Sequence, residues 1–161
     1  MPLDRDTIRF LECGELALYA ACAGAALRPR VARVYGCRFT SGGSRAAVWV
    51  TRPAADRLLE ALAATGRIAV VGSHIATLET FQLKASDARA IAGGPDDSEA
   101  VSAYREAFVR TGIAAGYREP LLRSVIDCDL GSIARIELTL AAAFMQTPGP
   151  AAGTPIAEAA R

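Results

Sequence analysis

The sequence predicts a mainly β, α+β fold: six antiparallel strands curled into a small barrel, with helices at its periphery. Three observations carry this. Thr77 to Ala88 alternates with period two, placing Phe81 and Leu83 on one face and Thr80, Gln82, Lys84 and Ser86 on the other. Ser41-Gly42-Gly43-Ser44 separates two further alternating runs, and its glycines supply the positive backbone angles of a hairpin turn. Helical spacing appears only in short pieces between strands, an order that suits a small barrel better than a parallel doubly wound sheet.

The elements follow in chain order. Asp4 to Glu12 reads as a short amphipathic helix capped by Asp4 or Asp6 and ended by Gly14. Glu15 to Cys22 is the first strand, although its Ala and Leu content also suits a helix. Arg30 to Thr40 is the second, with Val31, Arg33, Tyr35 and Cys37 on one face. Ala46 to Thr51 returns from the hairpin. The period then changes: Pro53 to Thr65 is a helix with Pro53 in its first turn, Thr51 near its start and Gly66 past its end. Ile68 to Val71 is a buried strand, Ser73-His74 a polar bend, and Thr77 to Ala88 the fifth strand. Gly93 to Ser98 is a linker that ends in capping residues. Helices are expected over 99–111 and 119–125, and the last strand over 132–144. The Pro/Ala/Gly-rich tail, 146–161, reads as irregular.

The composition sets limits on function. The 161 residues suit one domain with a real core, and 52% of them are hydrophobic. A net charge of +1 with no long block of like charge argues against nucleic acid or an anionic membrane as the main partner. Cys13, Cys22, Cys37 and Cys128 form no C-x-x-C pair, and His74 is the only histidine, so a zinc site is not expected. Scattered single cysteines and an N-terminus without an apolar core suggest buried thiols in a reducing cytoplasm.

The chemistry is concentrated in a few side chains. Two hydroxyls, an amide and a cation on one strand face, Thr80, Gln82, Lys84 and Ser86, could wall a site for an anionic, hydrogen-bonding ligand. Arg33 shares a face with Val31, Tyr35 and Cys37, so it needs an anionic partner, either a phosphate or a carboxylate. Thr51 suits a helix cap or turn, His74 a loop, and Trp49 the core or an interface.

The ordered pieces Phe10-Leu11-Glu12, Pro29-Arg30-Val31-Ala32-Arg33, Trp49-Val50-Thr51, Ala61-Leu62-Ala63-Ala64, Arg67 to Val71 and Thr80 to Lys84 resemble the pyridoxamine phosphate oxidase-like superfamily of FMN-binding split barrels. The match covers roughly residues 8–90, and its order and spacing carry it. The resemblance implies a single split-barrel domain over 1–161 and a homodimer with FMN in a groove between subunits. It also implies a flavin-dependent oxidoreductase acting on a small molecule. By position, Arg33 would hold the flavin phosphate, Thr51 would lie at the turn after the third strand, and Gln82 and Lys84 would face the flavin. Arg52 is followed by Pro53 where oxidases of the family commonly carry Arg-Lys, and their C-terminal Arg and His have no match. Pyridoxamine phosphate oxidation itself is therefore not expected. The alternative is a cofactor-free, haem-binding or deazaflavin-binding barrel with a binding or regulatory role.

Overall fold

The computed structural model describes residues 2–24 and 27–158. Its elements are helix α1 (Arg5–Glu12), strands β1 (Leu16–Ala23), β2 (Pro29–Val34), β3 (Cys37–Thr40) and β4 (Arg45–Thr51), helix α2 (Asp56–Thr65), strands β5 (Ile68–His74), β6 (Thr80–Ala85) and β7 (Arg89–Ala92), helices α3 (Pro95–Ala114) and α4 (Glu119–Ile126), and strands β8 (Ile133–Thr139), β9 (Ala142–Met145) and β10 (Pro155–Glu158). The strands pair antiparallel in two sheets, one ordered β10-β9-β6-β5-β1-β2 and the other β3-β4-β8-β7. Leu18, Val34, Val70 and Leu83 of the larger sheet and Val48, Val50 and Ile136 of the smaller share one core, each at most 2% exposed. This is the mainly antiparallel barrel with peripheral helices that the alternation predicts, in the split form that the resemblance implies. No described helix is long and apolar enough to cross a membrane.

The strand count rises because two predicted strands divide where the chain changes sheet, and because β7 and β10 form where no strand is expected. The run 30–40 breaks at Tyr35-Gly36, so β2 edges the larger sheet and β3 the smaller. Gly36 has φ 117°, and a Cβ there would lie 3.1 Å from the Trp49 ring, so a side chain fits neither the backbone nor the space. The run 132–144 breaks likewise at Leu140-Ala141 into β8 and β9. The expected irregular tail instead folds back: Gly153 N–H donates to the Met145 carbonyl, Met145 N–H donates to Thr154, and β10 pairs with β9. Residues 159–161 of that tail lie outside the described residues.

Three other expectations shift. Pro53 lies outside α2, which begins at Asp56 after a cis Arg52–Pro53 peptide. Ala55 holds the N-cap position, and Thr51 contributes its carbonyl, which accepts from Ala55 N–H. His74 closes β5 and is not in a loop. Its Nδ1 accepts from the Ala76 and Thr77 amides, which leaves Nε2–H to donate to Glu15 at 3.0 Å.

Helix α3 starts at Pro95 and runs 20 residues, so it spans about 30 Å. At its start, buried Asp97 accepts from Trp49 Nε1 (2.7 Å), Gly94 N–H (2.8 Å) and Arg135 (3.3 Å). Midway, the Tyr104 hydroxyl donates to the Leu16 carbonyl, and farther on Phe108 packs over the larger sheet. The helix thus ties the outer faces of both sheets together. Gly112 lets α4 pack closely, since a Cβ there would meet Leu122 at 2.5 Å.

Burial raises the Asp97 carboxyl, but the Gly94 amide, the Trp49 indole and Arg135 outweigh it and hold the group below its ordinary value of 3.8. A depressed folded value stabilises above the unfolded pKa and is lost as pH falls through the folded one. Asp97→Asn is therefore expected to melt at lower temperature than wild type at pH 7. The gap should close as the pH falls below about 4. Thermal melts followed by circular dichroism across that range check this.

Candidate functional site

The outer face of the larger sheet carries two neighbouring cross-strand rows. Register places Arg33 (β2), Tyr19 (β1), Val71 (β5), Gln82 (β6) and Phe144 (β9) side by side in the first. The second is Val31, Ala21, Ala69, Lys84 and Ala142. Period-two alternation sends Leu18, Ala20, Val70 and Leu83 inward and leaves this face outward. The three alanines make a flat trough beside the taller Tyr19, Val71 and Phe144. Tyr19 and Val31 are 42% and 62% exposed, so the face is open and largely apolar.

Two cations stand at opposite ends. The Arg33 guanidinium lies between the Tyr19 and Phe108 rings, 5.2 and 5.3 Å from their centroids, and donates to the Tyr19 hydroxyl at 3.1 Å. Its Nε is buried and has no hydrogen-bond partner among the described residues. Buried donors normally find acceptors, so this one marks a place where an acceptor fits. The neighbouring Arg105 pairs with Asp127 at 3.0 Å, and its Nε is likewise buried without a partner. Lys84 Nζ lies 4.7 Å from the Phe144 ring centroid and has no carboxylate partner among the described residues. Gln82 Oε1 accepts from Gln146 Nε2 at 3.4 Å. Arg33 and Gln82 are three strand spacings apart, about 14 Å.

Of the four residues singled out in the sequence, the structure brings Arg33, Gln82 and Lys84 to one face. Thr51 stands apart at the end of β4 in the smaller sheet, 5% exposed and beside the Tyr35 phenol. Burial pushes that phenol up, while Arg33 and Arg105 nearby pull it down. Of the rest of the predicted wall, Thr80 Oγ1 donates to Ser73 Oγ at 2.8 Å and Ser86 is exposed. Neither row holds a carboxylate, thiol or imidazole. The arrangement can hold an anion at the Arg33 end and a flat, hydrogen-bonding group near Gln82 and Lys84.

Sequence reasoning missed Tyr19, Phe144 and Arg105. Strand parity could have found Tyr19, which opposes Arg33 once β1 and β2 are paired. Phe144 was hidden by the break at Leu140-Ala141, and Arg105 reaches the site only through the crossing of α3. The thiols offer no reactive group here: burial raises Cys13, Cys22, Cys37 and Cys128 alike.

No protein-family model matches this sequence, and no curated protein matches it. Solved structures do match in fold. HupZ of Group A Streptococcus is 13% identical with a TM-score of 0.54, over 94% of this chain and 100% of that one. A Lactobacillus delbrueckii protein provisionally described as a pyridoxamine 5'-phosphate oxidase is 12% identical with a TM-score of 0.52, over 89% and 93%. HutZ, the haem storage protein of Vibrio cholerae, is 12% identical with a TM-score of 0.50, over 90% and 95%. The chain has the pyridoxamine phosphate oxidase-like split-barrel fold.

An arginine with a buried, unpaired Nε contributes little net stability, because its desolvation offsets its ring contacts. Arg33→Met is expected to change the unfolding free energy by less than about 1 kcal/mol. Urea denaturation checks this, and a loss of several kcal/mol would make Arg33 a structural residue.

Proposed function

We propose that this protein binds FMN on the outer face of its six-stranded sheet, as a homodimer whose second copy closes the groove. Within that reading, it is an oxidoreductase acting on a small-molecule substrate. The observation that carries the reading is Arg33: a guanidinium fixed between two rings, with a buried Nε that lacks an acceptor. A phosphate oxygen is the acceptor that such a group suits best. The span of about 14 Å to Gln82 separates a phosphate end from a ring end. Gln82 offers an amide to the flavin carbonyls, and Lys84 places a positive charge beside them. The alanine trough suits a planar ring system, and Tyr19, Val31 and Phe144 offer apolar surface to a second subunit. Thr51, buried in the other sheet, is not part of the proposed contact set.

The bound flavin would supply the electron chemistry, and the chain would supply binding, orientation and charge. Haem is the second reading, favoured by the fold shared with HutZ and by the same flat trough. His74 speaks against it as an axial ligand, because both of its ring nitrogens are already engaged.

The test is titration of the purified protein with FMN, riboflavin, a deazaflavin and haem, read by absorbance and melting temperature. FMN is expected to bind and to raise the melting temperature. Arg33→Met should weaken FMN at least tenfold, about 1.4 kcal/mol, and leave riboflavin, which lacks the phosphate, unchanged. Lys84→Ala should weaken both flavins. A protein that stays colourless and shows no affinity for FMN would sink the proposal.

A further inference from the structure

The outer face of the smaller sheet holds a second cavity, of about 540 Å3, with a different chemistry from the trough. Register sets Arg38 (β3), Ala47 (β4), Glu137 (β8) and Arg89 (β7) in one row across all four strands. Arg45 lies two residues from Ala47 along β4, and Arg135 two residues from Glu137 along β8. Four arginines therefore ring a centre that Ala47 leaves low, with Trp49 and Thr40 also in the lining.

The carboxylates present do not use up this charge. Asp97 already accepts from Trp49, Gly94 and Arg135. Glu137 is shared by Arg89 at 2.9 Å and Arg135 at 3.3 Å, and these guanidiniums hold it below the ordinary carboxylate range. Asp96 is exposed at the rim. Arg38 and Arg45 make no ion pair within 4 Å and no side-chain hydrogen bond among the described residues; Asp87 and Glu137 lie near enough to Arg45 for its charge to lower both carboxyls, and Arg38 is held 5.7 Å over the Trp49 ring. Arg135 keeps a buried Nε without a partner. As diagonal neighbours on paired strands, Arg38 and Arg45 have backbones about 7–8 Å apart. Their side chains can therefore converge on two adjacent anionic groups.

We infer that this cavity is a binding site for a small molecule carrying a diphosphate, gripped chiefly by Arg38 and Arg45. The diphosphate matches two unpaired planar donors that each favour bidentate contact with phosphate. The volume leaves room for an organic group attached to it. The site uses none of Arg33, Gln82 or Lys84, so it stands or falls independently of the flavin.

Calorimetric titration of the whole protein with sodium pyrophosphate, orthophosphate and ADP tests this. Pyrophosphate is expected to bind one per chain, at least tenfold more tightly than orthophosphate, and to weaken as salt is raised. ADP binding as tightly as pyrophosphate would identify a nucleotide as the source of the diphosphate. Pyrophosphate binding alone would identify an inorganic or non-nucleotide source. In the Arg33→Met background, which removes the anion end of the trough, the double variant Arg38→Gln/Arg45→Gln should lose at least tenfold in affinity, and Arg45→Gln alone serves if the double variant does not fold. Absence of pyrophosphate binding, or unchanged affinity in these Arg38 and Arg45 variants, overturns the assignment.

Discussion

Each time this chain leaves one sheet for the other, a strand must stop without losing its inward side chain, and the rest of the fold depends on those corners. At Tyr35-Gly36 the turn works because glycine takes φ 117° with Trp49 and Tyr104 packed against it. Tyr35 N–H still reaches the Trp49 carbonyl at 2.7 Å, so the corner stays bonded to the smaller sheet. At the β6–β7 corner, Ala88 N–H donates to Gly66 and Asp87 accepts from Thr139 N–H. At the β8–β9 corner, Leu140 N–H donates to Ser44 and Ala141 N–H to Lys84. Backbone groups that leave a ladder are thus paired again at once, as buried amides require.

The corners give the protein two outer faces with opposite characters. One is paved with alanine and flanked by aromatic rings, with a cation at each end. The other is crowded with arginine over a small floor. Helix α3 touches both, through Asp97 on the smaller sheet and Phe108 on the larger. Because Phe108 forms one side of the Arg33 sandwich, the helix helps to set the geometry of the candidate site. A local change at Asp97 therefore has a route to Arg33 along a rigid element, about eleven residues or 16 Å of helix.

Strand parity made the inward and outward faces legible. Phe81 and Leu83 are buried, and Gln82 and Lys84 face outward, as alternation alone requires. The corners were not legible, because the apolar run continues through Tyr35-Gly36 and through Leu140-Ala141 while the inward parity shifts there, from Ala32 and Val34 to Cys37 and from Leu138 and Leu140 to Ala143. The β10 return was hidden by its composition: prolines and glycines that read as irregular tail serve here as the turn that brings Pro155 beside Phe144. Thr51 shows a further limit. Its expected place was the turn after the third strand, but it is the last residue of β4, buried in the sheet that the other three residues do not share. Arg33 was flagged because a charge on an apolar strand face needs a partner. What the sequence could not show is that aromatic rings, and no carboxylate of the described residues, surround it.

That environment decides how Arg33 is best understood. A guanidinium is weakly hydrated and stacks on ring faces, so Tyr19 and Phe108 can hold it without neutralising its charge. A lysine in the same place would lose strongly bound water and gain less from the rings. A carboxylate neighbour would have fixed the group too, but would have cancelled the field that an incoming anion responds to. The sandwich instead orders the side chain before any ligand arrives, so less rotamer entropy remains to be lost on binding. Lys84 over Phe144 repeats the device at the other end of the same face. Two preoriented cations whose backbones lie about 16 Å apart on a rigid sheet, with small residues between them, form an arrangement suited to a flat anionic ligand whose charge lies at one end.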